Sequence, residues 1–190
     1  MSLETSPEGK GQSLAARLCE STLESVAKCY QCGKCSAGCP LAVEMDFPPS
    51  QIIRMLQLGF PSLEEQCVGS LSIWYCLTCE TCMSRCPKEV DLPKIMEFLR
   101  EESIHRKKTH PKAKEIVDFH KAFLDSVKGA GRAYEIGMIA DYKARSLHLF
   151  QDVLVAPKLF FHGKLKLFPH LIKGRADISR IFSRTIDKKE

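Results

Sequence analysis

The sequence predicts an all-α fold, in which a cysteine-rich helical domain is followed by a helical C-terminal extension. Three observations favour this fold. Apolar residues recur at intervals of three and four in most of the chain, as on one face of a helix. One cysteine pattern occurs twice, and each copy leads into such a helix. Between the two copies, no segment of useful length alternates between apolar and polar residues, as a half-buried strand would.

Each copy of the pattern contains four cysteines and ends in a proline. The first copy is Cys29, Cys32, Cys35 and Cys39 before Pro40, and the second is Cys76, Cys79, Cys82 and Cys86 before Pro87. Every cysteine of the second copy lies 47 residues after its counterpart in the first. The spacing C-x2-C-x2-C-x3-C-P is typical of bacterial ferredoxins that bind two [4Fe–4S] clusters. We therefore expect an α-helical ferredoxin-like domain with two [4Fe–4S] clusters as cofactors, which would transfer electrons.

In such ferredoxins the last cysteine of each run binds the cluster of the other run. The prediction therefore divides the eight cysteines into two crossed sets. The first set is Cys29, Cys32, Cys35 and Cys86, and the second set is Cys76, Cys79, Cys82 and Cys39. Structural zinc is the alternative, but zinc sites use C-x2-C pairs separated by a longer spacer. Cys19 and Cys67 fall outside the runs and are expected to be buried, small apolar side chains.

The individual helices follow from caps and apolar spacing. A helix is expected from Ser13, with its apolar face running through Leu18 and Cys19 to Val26. Pro48 and Pro49 open a second helix, which Gly59 closes. Residues 63–69 form another short helix. The helix after the second run carries Leu92, Ile95, Met96 and Leu99 on one face. Pro111 begins a further helix, whose apolar face holds Ile116, Phe119, Phe123 and Val127.

The sequence divides into three predicted segments. Residues 1–12 form a flexible lead-in, residues 13–128 the two-cluster domain, and residues 129–190 a basic helical extension for docking on a partner protein. The formal net charge is +5, and the C-terminal part from Lys143 onward is its basic portion. The candidate docking residues of the extension are Lys158, Lys164, Lys166, Lys173 and Arg175. A membrane-surface segment or a solvated basic face are the alternatives for this extension.

Other features bear on partners and location. No signal peptide or membrane span is visible, and tight cysteine spacings of this kind are typical of metal sites in a reducing compartment. A cytoplasmic location is therefore expected. Nucleic-acid binding is disfavoured because no recognised motif accompanies the basic residues. No catalytic residue is predicted.

The residues around the cysteines resemble the C-type iron–sulfur subunit of heterodisulfide reductase. The resemblance rests on residues 29–40, the Asp-Phe-Pro-Pro turn at 46–49, the helix at 51–59 and the segment from Trp74 to Pro87. It implies an electron conduit that connects two partners. One is a flavin- and cluster-containing subunit, and the other is a catalytic subunit, which reduces the mixed disulfide of coenzyme M and coenzyme B. The resemblance also implies an indirect link to a hydrogenase or a formate dehydrogenase, in the energy metabolism of methanogenesis.

Catalytic subunits of that family contain Cys-Cys-Gly elements, whereas this chain has no adjacent cysteine pair and no glycine-rich nucleotide motif. The resemblance therefore implies a non-catalytic subunit of an oxidoreductase complex. The alternative is an electron-transfer subunit of a succinate, fumarate or glycerol-phosphate dehydrogenase. Subunits of the first two types usually add a [2Fe–2S] domain before the two runs, and those of the third usually add Cys-Cys-Gly elements. A zinc-bound interaction module is the non-redox alternative.

Overall fold

The structure, a computed structural model, describes residues 12–147, 161–162 and 171–185. These residues form helices joined by turns and loops, and none of them lies in a strand, so the predicted all-α class is confirmed over this part of the chain. The chain divides into two compact units, Met1–Ala113 and Lys114–Glu190. The predicted boundary after residue 128 falls later, at the end of a helix that belongs to the second unit. As functional domains, the ranges 13–128 and 129–190 remain predictions.

The first unit contains long and very short helices. They are α1 (Leu14–Thr22), α2 (Lys34–Ala37), α3 (Pro49–Leu58), α4 (Pro61–Val68), α5 (Ser72–Tyr75), α6 (Thr81–Ser84) and α7 (Leu92–His105). Short 3-10 turns occupy Val26–Lys28 and Pro111–Ala113. Proline stands in the first turn of α3, α4 and α7, where its missing N–H costs no hydrogen bond.

Helix α7 lies at the centre of this unit, in contact with α1, α4, α5 and α6. Asp91 caps its N-terminus by accepting a hydrogen bond from the Lys94 backbone N–H at 3.1 Å. All four residues of its predicted apolar face are buried, so that prediction is confirmed. Burial of each such side chain contributes about 1.5–3 kcal/mol, which makes this helix the main support of the cysteine segments.

Helix α1 is shorter than the apolar pattern predicts. Ser13 caps it through the Ala16 N–H, and it ends where Leu23 adopts a left-handed conformation. Its buried residues are Leu14 and Leu18, while Cys19 is exposed. The predicted burial of Cys19 is therefore wrong. The turn at Leu23 removes the next turn of the helix, which would have extended the apolar face.

The other cysteine outside the runs behaves as predicted. Cys67 on α4 is fully buried and lies 3.9 Å from the Ile52 carbonyl oxygen. Burial raises the pKa of its thiol to about 12, so the side chain stays neutral at physiological pH. It therefore packs as a small apolar residue.

An ion-pair network joins three helices of the first unit. Glu102 on α7 is buried and accepts hydrogen bonds from Arg17 on α1 and from Arg106. Arg106 also binds Glu65 on α4 at 2.7 Å, and Lys108 pairs with the same carboxylate. Because the carboxylate of Glu102 is buried, it requires these partners to offset its desolvation.

The second unit contains α8 (Lys114–Ala130), α9 (Glu135–Ser146) and α10 (Arg175–Thr185). Helix α8 contacts both of the others. Phe119 meets Tyr142 of α9 edge to face, with ring centroids 6.0 Å apart, and Phe182 of α10 is buried. Phe119 and Phe123 nevertheless remain more than 40% exposed, at 44% and 42%. The apolar face predicted for α8 is thus only partly covered within the described residues.

Candidate metal centre

The two cysteine runs fold into the same local structure. Helix α6 begins and ends 47 residues after α2, and the residue before each helix is left-handed. That residue is Gly33 in the first run, with φ of +78°, and Glu80 in the second, with φ of +59°. The structural repeat therefore includes the backbone conformation as well as the cysteine positions.

The turn before each short helix is also repeated. Gln31 and Thr78 both have positive φ, although neither is glycine. In the first run the Gln31 N–H donates a hydrogen bond to the Cys29 sulfur at 3.4 Å. In the second run the Thr78 backbone makes the equivalent bond to the Cys76 sulfur. The left-handed residue turns each N–H back toward the sulfur that precedes it.

One cavity brings together the whole predicted second set. Cys76, Cys79 and Cys82 line it together with Cys39, the last cysteine of the first run. Apolar side chains complete its wall, among them Leu41, Met45, Tyr75, Leu92 and Met96. Three thiols from one run and one from the other therefore face a shared, mostly apolar space.

Three of the remaining four cysteines lie near Tyr30. Cys32, Cys86 and Cys29 are all close enough to the Tyr30 hydroxyl to affect it electrostatically. The pKa of this hydroxyl is raised by partial desolvation and by these sulfur groups. Cys86 also accepts a hydrogen bond from the Val90 N–H at 3.4 Å. The last cysteine of the second run is thus within electrostatic range of the same tyrosine as two cysteines of the first run.

The two groups of cysteines are neighbours, because α2 and α6 contact each other. At this contact the Arg85 side chain lies over Gly38, and a Cβ atom on Gly38 would be 2.7 Å from the Arg85 guanidinium. Gly38 therefore serves close packing, while Gly33 has open space around it and serves backbone conformation. Cys35 is among the groups whose charge affects Cys82.

Burial affects the protonation of three of these thiols. Desolvation raises the pKa of Cys35 and Cys76, and it raises the pKa of Cys82 to about 11. The exposed Cys79 is the opposite case, because hydrogen bonds from Thr81 lower its pKa. Iron takes thiolates as ligands and displaces their protons. Soft sulfur donors in partly desolvated surroundings fit an iron–sulfur cluster, which supplies the positive charge that isolated thiolates lack there.

A pair of backbone carbonyls beside each run is held by one long side chain. Gln57 of α3 donates from Nε2 to the Val26 and Cys29 oxygens, at 2.8 and 2.7 Å. Arg100 of α7 donates from Nε to the Ile73 oxygen at 2.5 Å, and from its terminal nitrogen to the Cys76 oxygen.

The two carbonyl pairs are 47 residues apart, whereas Gln57 and Arg100 are not. Sequence reasoning missed both side chains because they do not follow the repeat spacing. The residue 47 positions after Gln57 is Ile104. No signal in the sequence singles them out.

The structure places only part of the predicted docking surface. Lys173 and Arg175 are exposed, and Arg175 begins α10. Lys158, Lys164 and Lys166 lie outside the described residues. Over the described ranges, no helix is long and apolar enough to cross a membrane. In the same ranges, no three His, Cys, Asp or Glu side chains form a group that could hold a single metal ion.

The sequence of the chain is similar to those of known proteins. The family model of a 4Fe-4S dicluster domain matches residues 25–90, which contain both cysteine runs. This match confirms the prediction of two [4Fe–4S] clusters rather than zinc. The match begins close to the start of the structural repeat. Ser25 precedes the turn at Val26–Lys28, and Ser72, which lies 47 residues later, begins α5.

Curated relatives match part of the chain. The chain is 36% identical over 81 residues to the C 2 iron-sulfur subunit of the CoB–CoM heterodisulfide reductase of Methanocaldococcus jannaschii, covering 43% of this chain and 41% of the relative. It is 35% identical over 101 residues to the C-type subunit of the ferredoxin:CoB–CoM heterodisulfide reductase of Methanosarcina acetivorans, covering 52% and 39%. The C-type subunit of an H2:CoB–CoM heterodisulfide,ferredoxin reductase from Methanothermobacter thermautotrophicus is 31% identical over 80 residues, or 42% of each chain.

The matched segment thus spans less than half of each of these relatives. The resemblance predicted from the residues around the cysteines is confirmed over that segment. Residues 25–90 match a 4Fe-4S dicluster domain, which carries two [4Fe–4S] clusters, and part of the chain is similar to the C-type iron–sulfur subunits of heterodisulfide reductases.

Proposed function

We propose that this chain is the electron-transfer subunit of a heterodisulfide reductase complex. It relays electrons from a flavin-containing subunit to the catalytic subunit, which reduces the mixed disulfide of coenzyme M and coenzyme B. The observation that carries this proposal is the pair of adjacent cysteine groups, joined through the contact of α2 and α6. Two cluster sites side by side provide a path for electrons through the protein.

The crossed ligand sets are part of this proposal. Cys39 lines one cavity with Cys76, Cys79 and Cys82, which supports its assignment to the second set. Cys86 lies by Tyr30 together with Cys29 and Cys32, which supports its assignment to the first set. Cys35 completes that set, since it is buried and lies close enough to Cys29 to be affected by its charge.

The residues around the sites determine what this protein does. Each bound [4Fe–4S] cluster supplies one-electron transfer. The thiolates of the two sets hold all eight iron positions, so the chain leaves no iron open to a disulfide. The apolar wall formed by Leu41, Met45 and Met96 limits the access of water to the second set. We therefore assign the disulfide chemistry to the separate catalytic subunit.

The partners follow the same reasoning. The basic extension from residue 129, including Lys158, Lys164, Lys166, Lys173 and Arg175, docks on a partner protein of the complex in this proposal. A hydrogenase or a formate dehydrogenase supplies the electrons indirectly. The names of the archaeal relatives support these partners, because they describe CoB–CoM heterodisulfide reductases, some of them linked to H2 or formate. The complex acts in the cytoplasm, in methanogenesis-type energy metabolism.

Anaerobic purification of the chain from its native cells, with mass spectrometry of the bound proteins, tests this function. We expect a flavoprotein and a second protein with Cys-Cys-Gly elements. A colourless, iron-free protein would contradict the proposal at the level of the cofactor. A dehydrogenase with membrane anchors would leave the clusters in place but replace the heterodisulfide reductase function with that of another dehydrogenase.

A further inference from the structure

The two cluster sites differ in the charge of the side chain that holds the matched pair of backbone carbonyls. The carbonyls of Val26 and Cys29 beside the first set are held by Gln57, which is neutral. The carbonyls of Ile73 and Cys76 beside the second set are held by Arg100, which is a cation. The hydrogen-bonding function is the same at both sites, so the side chains that hold the two carbonyl pairs differ by a full positive charge.

Arg100 is well placed to act on the second set. Its guanidinium donates to the carbonyl of Cys76, a residue of that set, and the electrostatic interaction between Arg100 and Cys76 is favourable. Desolvation lowers the pKa of Arg100, but arginine stays protonated in proteins. In partly desolvated surroundings a charge acts more strongly on its neighbours than it does in water. The nearest acidic group on the same helix, Glu97, is exposed to solvent.

Neutral donors are found at both sites and do not reproduce this difference. Gln31 and Val90 donate to sulfurs of the first set. The backbones of Thr78 and Thr81 are hydrogen-bonded to sulfurs of the second set. The field of a dipole falls more steeply with distance than that of a charge. The charge of Arg100 has no counterpart in the hydrogen bonds around the first set.

We infer that Arg100 raises the reduction potential of the cluster in the second set above that of the cluster in the first set, and so gives a direction to electron flow through the protein. Reduction adds a negative charge to a cluster, and a nearby cation stabilises the reduced form. Electrons then reside mainly on the cluster of the second set. Arg100 acts through its positive charge and is not a cluster ligand. This inference rests on the proposed two-cluster function and on the crossed sets.

A redox titration followed by electron paramagnetic resonance tests the inference on the full chain, isolated anaerobically with its clusters. The wild-type protein should show two one-electron steps. In the Arg100→Gln variant we expect the higher step to move down, because glutamine keeps neutral donors at these carbonyls but lacks the charge. The ratio of reduced to oxidised second cluster should fall at least tenfold at a fixed potential, which corresponds to about 59 mV for a one-electron couple.

The reciprocal variant keeps the test valid if Arg100→Gln does not fold. Gln57→Arg should move the lower step up, since it places a cation at the carbonyl pair beside the first set. Arg100→Lys keeps the charge and should keep both steps near their wild-type positions. Lys94→Gln removes an exposed charge from the same helix and serves as the matched control, with both steps unchanged.

The outcomes separate the inference from the proposed function. If Arg100→Gln shows two cluster signals but only the lower step shifts, or neither step shifts, the inference is overturned. The two-cluster function is then left intact. Absence of two cluster signals in the wild-type protein would instead overturn the proposed function.

Discussion

The first cysteine run places Gly33 at a left-handed position that the second run fills with Glu80, and both runs then enter the same four-residue helix. A glutamate in this conformation carries a steric cost of about 1–2 kcal/mol that glycine does not carry. The second run adopts it nonetheless. The conformation is therefore required by the position of the cysteines around each site, and glycine in the first run only makes it easier to reach.

The two halves diverge just after the fourth cysteine. Val43 is 94% exposed, whereas its counterpart Val90 is 1% exposed. Asp91 caps the helix that follows it, but Asp46 accepts hydrogen bonds from the Leu71 and Ser72 N–H groups, at the start of α5. Asp46 thus holds the beginning of the second half, although Glu44, and not Asp46, lies 47 residues before Asp91.

The largest expected effect concerns the crossed ligands. Cys39→Ala should remove the same paramagnetic signal as Cys79→Ala, because both residues are assigned to the second set. Cys86→Ala should likewise resemble Cys32→Ala. Each variant should retain about four of about eight iron atoms, since one [4Fe–4S] cluster is lost. Iron analysis and electron paramagnetic resonance of anaerobic samples measure this.

Cys19→Ala is the matched control for these variants, because Cys19 is exposed and belongs to neither set. It should retain all the iron and both signals. The crossed assignment is wrong if Cys39→Ala resembles Cys32→Ala instead.

The next effect distinguishes Asp46 from Asp91. Asp46→Ala should lower stability by about 1.5 kcal/mol, because a carboxylate loses charge-assisted hydrogen bonds from two N–H groups and the Ser72 hydroxyl. Asp91→Ala should cost about 1 kcal/mol, the usual loss for one helix cap. Thermal unfolding of the anaerobic proteins gives the ranking.

Burial raises the pKa of Asp46, but hydrogen bonds from Ser72, Leu71 and Phe47 outweigh it and lower the pKa overall. Its carboxylate is therefore charged at neutral pH, and Asp46→Asn should be less stable than the wild type there. Equal stability of Asp46→Asn and the wild type would show that the charge contributes nothing.

A smaller effect is expected at the matched left-handed positions. Gly33→Ala should destabilise the protein by about 1 kcal/mol, because a Cβ atom is disfavoured at positive φ. Glu80→Gly should stabilise it by less than about 1 kcal/mol, since the greater freedom of glycine in the unfolded chain offsets part of the gain. The same thermal measurement compares them, and a stabilising Gly33→Ala would contradict the equivalence of the two turns.

The smallest effect concerns the reactivity of the two cysteines outside the runs rather than the stability of the protein. A thiol-alkylating reagent should modify Cys19, which is exposed, much faster than Cys67. Cys67 is buried and its pKa is about 12, so it presents almost no thiolate at neutral pH. Mass spectrometry of the folded protein with its clusters bound compares the two sites. Equal modification would show that α4 opens readily.

The sequence alone was sufficient for the elements that depend on local patterns. Asp91 and Pro93 mark the start of α7, and its apolar spacing identifies the buried face, so both were predictable. The exposure of Cys19 was not, because the turn at Leu23 is a left-handed non-glycine conformation without a sequence signature. Gln57 and Arg100 were missed for another reason. Their contacts are long-range and come from helices that reach matched carbonyls from unmatched positions.

The cavity shared by Cys39 and the second run also constrains how the protein matures. While the chain is still being synthesised, Cys39 is present long before Cys76, Cys79 and Cys82. The proposed second set cannot exist until residue 82 has left the ribosome, and the first set must wait for residue 86. Iron and sulfide delivered earlier would meet only incomplete groups of thiols. Cluster insertion is therefore expected to follow the synthesis of both runs, as a late step in the life of the nascent chain.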